Sequence, residues 1–198
     1  MKIEIEKSLA LPVSAATGWG LVENIEEIAG CLPGAKITER VDPTHYKGTV
    51  AVKLGPASLL FKGEIEIVSL DPAARTIHLR GRGSDTTGTS GASLDLTAVV
   101  TETGPDTCKF SGRSEVSVTG KAAAFGARLM NTVTDQLLKI FFANVLAKAE
   151  ALEAAKPAEP APAAPAAAPA EPELNALALG WAVIVSFFRG LFGRPTTS

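Results

Sequence analysis

The chain has 198 residues, of which 46% are hydrophobic and 20% are charged, and its formal net charge is −2. This balance permits one buried core of ordinary domain size and excludes a wholly disordered chain. No run of Lys or Arg supplies the basic face that nucleic-acid backbones require, so we expect no nucleic-acid partner.

The N-terminal segment MKIEIEKSLAL predicts a strand, because Ile3, Ile5 and Leu9 share one phase of a two-residue alternation. It contains no continuous apolar stretch, so it is not a signal peptide, and the folded part is expected in the cytoplasm. Residues 14–29, which glycines interrupt, predict one or two short helices that end before Pro33-Gly34.

Six further strands are predicted from alternating segments that turn-forming pairs separate, such as Asp42-Pro43, Gly55-Pro56 and Asp71-Pro72. These strands lie near residues 36–42, 45–54, 58–70, 75–85, 91–102 and 108–119.

The segment 121–155 predicts one long helix, because it lacks proline and its apolar residues recur every four positions from Phe125 to Val145. A helix of about 35 residues would measure roughly 50 Å. The order of elements indicates an α+β fold, in which a curved antiparallel sheet of about seven strands wraps around the long C-terminal helix.

Glycine recurs in the inward phase of these strands, at Gly48, Gly63, Gly81, Gly83 and Gly112. Such glycines either let the sheet bend around the helix or leave room for a ligand between sheet and helix, and the two explanations are compatible.

An aromatic and Met-containing lining suits a flat apolar ligand of loose shape. We expect nine residues to line the resulting cavity, although each of them would also suit a plain core: Trp19, Ile25, Ile28, Leu32, Phe61, Leu129, Met130, Val133 and Phe141.

No catalytic or metal-binding pattern is found. Cys31 and Cys108 have no metal-ligand spacing and are expected to be free and buried. His45 and His78 have no obvious carboxylate partner in the sequence. The segment GRGSDTTGTSG is not a phosphate-binding loop. Its polar residues and those that follow are best explained by turn and strand-surface roles: Ser84, Asp85, Ser90, Ser93 and Asp95.

The chain divides into a globular domain at 1–155, a linker at 156–173 and a tail at 174–198. The linker contains only Lys, Pro, Ala and Glu, which favours an extended spacer. At about 3.1 Å per residue it reaches on the order of 50 Å.

The tail is apolar enough to need burial, and we expect an apolar tail helix that anchors the chain in a membrane. The 15 uncharged residues 174–188 fall short of the hydrocarbon core, which needs about 20 residues, so spanning and lying in the interface both stay open. Docking in a partner's groove or folding back over the domain are the alternatives. The expected anchor residues are Leu177, Trp181, Val185, Phe187, Phe188, Arg189 and Phe192.

Residues 1–150 resemble the carbon monoxide dehydrogenase CoxG family of the START-like (SRPBCC) helix-grip superfamily. The segments that carry the resemblance are KIEIEKSLALP, CLPGA at 31–35, GRGSDTTGTSGASLDLTAVVTE at 81–102 and GKAAAFGARLMNTVTDQLLKIFFANV at 120–145. The resemblance implies a hydrophobic cavity between sheet and last helix, and an accessory role beside a molybdenum hydroxylase-type dehydrogenase.

These observations lead to three hypotheses. The first is a membrane-tethered accessory protein without enzymatic activity or a covalently bound cofactor, on the cytoplasmic face of the cell membrane as a peripheral or tail-anchored protein. It would carry a hydrophobic small molecule, most simply an isoprenoid quinone such as menaquinone or ubiquinone, between membrane lipids and a carbon monoxide dehydrogenase-like molybdenum enzyme. The alternatives are a scaffold that recruits the dehydrogenase to the membrane without binding a ligand, and an enzyme of the hydrolase or cyclase type.

Overall fold

The computed structural model describes residues 1–54 and 57–156. Two short α-helices follow the first strand, and a long α-helix closes the domain. The elements in chain order are β1 (Lys2–Leu11), α1 (Ala15–Glu23), α2 (Ile25–Gly30), β2 (Ala35–Arg40), β3 (His45–Leu54), β4 (Ala57–Asp71), β5 (Thr76–Asp85), β6 (Ser90–Gly104), β7 (Thr107–Gly120), a 3₁₀ segment (Lys121–Phe125) and α3 (Gly126–Ala154). The predicted seven strands and the two short helices are confirmed.

All strands pair antiparallel in one sheet with the order β1-β7-β6-β5-β4-β3-β2. Strands β2 to β7 each lie beside their neighbours in the chain, whereas β1 pairs with β7 at the far edge. The ladder breaks at Ile67/Ser69 in β4, where a register shift increases the local bend.

Local capping explains where the first two helices begin. The Ser14 side chain accepts a hydrogen bond of 3.3 Å from the Thr17 amide at the start of α1. Asn24 repeats this arrangement for α2 by accepting from the Glu27 amide at 3.2 Å. Each cap satisfies an amide that would otherwise have no partner in the first turn, so the capping residue determines where each helix begins.

The core lies at one end of the domain, under α1 and the C-terminal half of α3. Burial follows the predicted strand phase, since Ile77 and Leu79 are buried in β5 while Arg80 and Arg82 are exposed. The largest fully buried side chains are Leu11, Leu21, Ile77, Val13, Val100, Val145 and Cys108.

The long helix is shorter than predicted, since the α-helix begins at Gly126 and the five residues before it form a 3₁₀ segment. Gly120 and Gly126 have φ values of 70° and 80°, so no continuous right-handed helix runs through either glycine. The segment is also tied to the β5–β6 turn, because the Lys121 amide donates to the Thr89 carbonyl and the Ala122 amide donates to the Ser90 hydroxyl.

The predicted turn at Gly55-Pro56, the linker from residue 157 onward and the tail at 174–198 lie outside the described residues. Within the described ranges, no helix combines the length and the apolar character that crossing a bilayer requires.

Candidate functional site

Burial changes along the length of α3, and this change locates the candidate site. Near the C-terminal end of the helix, Val145 and Ala149 are completely buried. Near its N-terminal end, Leu129, Met130 and Val133 are only half-buried. The helix therefore closes tightly over one end of the sheet and loosely over the other.

The helix crosses the concave face of the sheet. It contacts β1 at one edge and β3 near the opposite edge, and the strands between them lie beneath. On these strands, three half-buried apolar residues occupy the inward phase at the loosely covered end: Phe61, Leu94 and Val116.

We call these six half-buried residues the trough: Phe61, Leu94, Val116, Leu129, Met130 and Val133. Within the part of the chain that the structure describes, none of them belongs to the buried core or to the apolar residues packed against it. An apolar ligand can bind to a surface of this kind with little loss of existing packing contacts, because its side chains are not fully packed against each other.

The nine predicted lining residues divide into two groups. Phe61, Leu129, Met130 and Val133 lie in the trough. The others lie nearer the packed end. Trp19 and Ile25 are buried core residues, Ile28 and Phe141 pack against the core, and Leu32 is half-buried in the turn after α2. Their role as ligand contacts stays a prediction.

Phe141 is fixed in an aromatic cluster. Its ring centroid lies 6.4 Å from that of Phe110 and 5.5 Å from that of Phe142, and both ring pairs are tilted by more than 50°. Such tilted pairs are favourable arrangements for aromatic rings. Because Phe110 belongs to the core and Phe141 lies on α3 between Val133 of the trough and Val145 of the core, we take the cluster as the boundary between the packed core and the trough.

The glycines of the inner face serve two different purposes. A Cβ atom at Gly63 would collide with the carbonyl oxygen of Arg82, and one at Gly83 would lie 2.8 Å from the carbonyl oxygen of Lys62. These two glycines, paired across β4 and β5, allow a close approach of backbones. At Gly81 and Gly112, the nearest atoms would be Leu side-chain atoms at 3.5 and 3.6 Å, which is ordinary contact. These two positions keep the inner face open.

Polar groups on the inner face are few among the described residues. Ser114 has the inward phase of β7 between Ile5 and Leu96, is half-buried, and has no side-chain hydrogen-bond partner in the described ranges. Lys7 follows the phase of Ile5 on β1 and forms an ion pair with Asp135 of α3 at 3.7 Å. Sequence reasoning did not select either residue as a site residue, although strand alternation places both inward.

The two histidines have carboxylate partners, which corrects the sequence-based expectation. His45 contacts Asp42 at 2.9 Å in the β2–β3 turn, and His78 contacts Asp95 at 2.7 Å across β5 and β6. Arg80, which lies directly opposite Asp95, contacts it at 3.3 Å. The sequence does not reveal the partner of His78, because the two residues are 17 positions apart and meet only through the register of β5 and β6.

Hydrogen bonding from His78, followed by that from Arg80, lowers the pKa of Asp95. The resulting ionic cluster belongs to the outward strand phase, whereas the trough belongs to the inward phase. His78 and Asp95 therefore do not face a ligand held in the trough. Their ion pair lies on the outer surface of the sheet.

Asp85 has the turn role that the sequence predicts. Its buried carboxylate accepts hydrogen bonds from the hydroxyl and amide of Thr87 and, at 2.7 Å, from the amide of Ser90. The Thr87 hydroxyl is the main cause of the lowered pKa of Asp85. The negative charge of Asp85 is therefore stabilised by hydrogen bonds from within the β5–β6 turn.

Polar contacts fix the C-terminal half of α3. Asn144 donates to the Cys31 carbonyl at 2.9 Å, and Lys148 forms an ion pair with Glu27. Farther along, Glu153 accepts from the amide and hydroxyl of Ser14 at 3.3 and 3.2 Å. We call this last contact the clasp, because it joins the end of α3 to the start of α1.

The Thr17 hydroxyl, followed by Lys156, lowers the pKa of Glu153, so the clasp carries a carboxylate at neutral pH. The two cysteines are free and buried as predicted, and burial raises the pKa of both thiols. A raised thiol pKa disfavours the reactive thiolate. Neither cysteine is therefore a candidate nucleophile.

Solved structures with the same architecture share little sequence with this chain. A conserved protein from Geobacillus kaustophilus has 18% identity and a TM-score of 0.67, and the match covers 75% of this chain and 96% of that one. The ZhuI aromatase/cyclase from Streptomyces sp. R1128 has 14% identity and a TM-score of 0.56, with 76% and 94% covered. A START superfamily protein from Mycobacterium smegmatis has 17% identity and a TM-score of 0.54, with 75% and 98% covered.

At these identities the structures show the fold alone, which is the START-like helix-grip. No curated protein matches the chain in sequence. The family model of the carbon monoxide dehydrogenase protein CoxG matches residues 10–150, a stretch that includes the whole of α1 to β7 and most of α3. The chain therefore belongs to the carbon monoxide dehydrogenase CoxG family.

Proposed function

We propose that this protein is a non-enzymatic, membrane-tethered accessory protein that carries an isoprenoid quinone, such as menaquinone or ubiquinone, to a carbon monoxide dehydrogenase-like molybdenum enzyme. The observation that carries the proposal is the trough. Its six apolar residues are half-buried and lie apart from the packed core, three of them on the N-terminal half of α3 and three on the strands beneath it.

The chemistry of the trough suits a largely apolar ligand with a small polar part. Each ligand CH₂ group that leaves water for such a surface gains about 0.8 kcal/mol, so a few isoprenoid units suffice for useful affinity. Ser114 offers one hydroxyl in the inward phase, which can donate a hydrogen bond to a ring carbonyl oxygen. A quinone has both an isoprenoid chain and such carbonyl groups.

The absence of catalysis is part of the proposal. General acid–base chemistry needs a titratable pair within reach of the bound substrate. The carboxylate-paired histidines belong to the outer surface or to a turn, and Asp85 is used within its own turn. Holding and releasing a ligand requires none of these groups.

The linker and tail support the tethering part of the proposal through their composition. The Pro/Ala-rich linker acts as a spacer, and an apolar segment such as residues 174–188 partitions into lipid. A tethered carrier meets membrane quinone at a higher effective concentration than a free one. The family supports association with a carbon monoxide dehydrogenase, and we propose that this enzyme receives the ligand.

The test is mass spectrometry of organic extracts from protein purified without detergent, followed by titration with menaquinone. A stoichiometric quinone, with binding lost in Phe61→Ala and kept in Val68→Ala, supports the carrier. Val68 is a matched control because it lies on the same strand and is 38% exposed outside the trough. Protein that carries no quinone and also refuses added quinone, while still binding the dehydrogenase, would favour the scaffold instead.

A further inference from the structure

Several loops of the domain converge at the end where the trough is loosely covered. The Leu60 carbonyl accepts from the Thr86 amide at 2.9 Å, which joins the start of β4 to the β5–β6 turn. The Thr89 carbonyl accepts from the Lys121 amide at 3.0 Å, which joins that turn to the 3₁₀ segment before α3. The end of β3, the start of β4, this turn and the start of α3 therefore form one surface.

This surface is basic. The described residues 51–54, 57–62, 84–92 and 117–130 carry four cationic side chains and one carboxylate. The carboxylate is that of Asp85, which is buried and hydrogen-bonded within its turn. The four cations are exposed and, within the described residues, have no carboxylate partner within 4 Å: Lys53, Lys62, Lys121 and Arg128. We call this surface the basic end.

The opposite end of the domain carries charges of both signs. The antiparallel order places the β2–β3, β4–β5 and β6–β7 turns there, together with the C-terminus of α3. These elements carry Asp42, Asp71, Asp106, Glu150 and Glu153 together with the cations Arg75, Lys148 and Lys156, which form ion pairs. Since the whole chain has a net charge of −2, the positive charge of the basic end is a local feature that opposes the overall charge.

Two large apolar side chains stand exposed among these cations. Leu60 is 40% exposed on the outward phase of β4, and Phe125 is 38% exposed immediately before α3. Exposed aromatic and aliphatic residues among Lys and Arg are typical of surfaces that rest in the interfacial layer of a bilayer. Leu129 and Met130 of the trough follow Phe125 in the first turns of α3.

We propose that the basic end is a membrane-docking surface for anionic phospholipids, separate from the C-terminal tail. The cations contact lipid phosphates, Leu60 and Phe125 enter the interface, and the loosely covered end of the trough faces the lipid. The choice of lipid as the partner rests on the proposed function, because a carrier of membrane quinone needs its binding site at the bilayer. The tail keeps the domain near the membrane, and the basic end orients it.

Electrostatics sets the size of the effect. Each Lys or Arg near an anionic membrane surface strengthens binding by about 1 kcal/mol, which is about fivefold. Removing three such charges therefore weakens binding on the order of 100-fold. The effect decreases steeply with salt, because screening at 0.15 M already has a length of about 8 Å.

The test uses full-length protein in which Arg189 and Arg194 are replaced by Gln, so that the tail adds no charge. One variant carries Lys53→Glu, Lys121→Glu and Arg128→Glu. Its matched control carries Lys36→Glu, Lys109→Glu and Lys139→Glu, three exposed positions outside the basic end. Both variants undergo the same change in net charge.

Binding is measured by co-sedimentation with vesicles of phosphatidylcholine alone and of phosphatidylcholine with phosphatidylglycerol, without quinone. We expect the basic-end variant, in which three cations become anions, to lose its preference for anionic vesicles by at least on the order of 100-fold, and the control to keep it. Equal preference in both variants, or an equal loss in both, overturns the proposal. Circular dichroism checks the fold, and the corresponding Gln variants provide a milder series if the Glu variant unfolds.

This assay is independent of the proposed carrier function. A chain that binds anionic vesicles through the basic end but takes up no menaquinone would refute the carrier and leave the docking surface intact. A basic-end variant that binds vesicles normally but no longer binds the dehydrogenase would refute the docking surface, because the cations would then belong to a protein interface.

Discussion

Replacing Gly63 by Ala tests why glycine recurs on the inner face of the sheet. A Cβ atom at this position would collide with the Arg82 carbonyl oxygen and would lie 2.8 Å from the Gly83 Cα. Both obstacles are backbone atoms of β5, so the two strands must separate. Overpacking of this kind typically costs about 1–3 kcal/mol, and we expect about 3 kcal/mol here because no flexible side chain can yield.

Gly112→Ala is the matched substitution on the same face. Its Cβ atom would meet only the Leu96 Cδ1 at 3.6 Å, so we expect no loss of stability and a gain of about 0.4–1 kcal/mol from the stiffer unfolded chain. In a domain of this size, 1 kcal/mol corresponds to about 2–4 °C in Tm. Thermal unfolding followed by circular dichroism should therefore place Gly63→Ala about 6–12 °C below the wild type.

The comparison of the two variants can refute the reasoning in either direction. If Gly63→Ala unfolds at the wild-type temperature, close approach of the backbones is not the reason for glycine at this position. If Gly112→Ala is destabilised as strongly as Gly63→Ala, the inner face at Gly112 is not open.

Three further predictions concern the boundary of the trough and the anchoring of α3. Phe141→Ala should lower the free energy of unfolding in urea by about 3 kcal/mol, because it breaks the aromatic cluster. Phe61→Ala should lower the same free energy by less than about 1.5 kcal/mol. Equal losses in the two variants would contradict the boundary between core and trough. Asn144→Ala should cost about 1 kcal/mol by removing the donor to the Cys31 carbonyl, and an unchanged urea midpoint would contradict this. Glu153→Gln should cost about 1 kcal/mol at pH 7. The folded-state pKa of Glu153 is lowered, so its contribution to the free energy of unfolding is fully present above the ordinary pKa of 4.5. This contribution is lost as the pH falls through the lowered pKa. Urea titrations of the variant and the wild type should therefore converge in acid.

The fold was predictable because local patterns decide it. The phase of Ile77 and Leu79 against Arg80 and Arg82 assigns the two faces of β5, and the four-residue repeat in α3 assigns the face that covers the sheet. The start of α3 was not predictable in this way. Alanine-rich KAAAF favours a helix, but the left-handed φ of Gly126 and the hydrogen bond from Lys121 to Thr89 depend on the folded structure.

The candidate site was predictable only in part, for a physical reason. The apolar character of Trp19 and Met130 is equally visible in the sequence, yet Trp19 is buried in the core while Met130 is half-buried in the trough. The difference arises from how α3 lies across the sheet, closely at one end and loosely at the other. Pairs such as His78 and Asp95 were hidden for a related reason, since they depend on the register of β5 and β6.

The positions of the basic end and the clasp place a requirement on the linker. The clasp lies at the C-terminal end of α3, whereas the basic end lies at its N-terminal end. A helix of 29 residues is about 43 Å long at about 1.5 Å per residue. The Pro/Ala-rich linker reaches on the order of 50 Å when extended at about 3.1 Å per residue. If the tail and the basic end bind the same membrane, as we propose, an extended linker of this length can connect them even when α3 stands upright on the membrane, so the length of the spacer is part of the proposal.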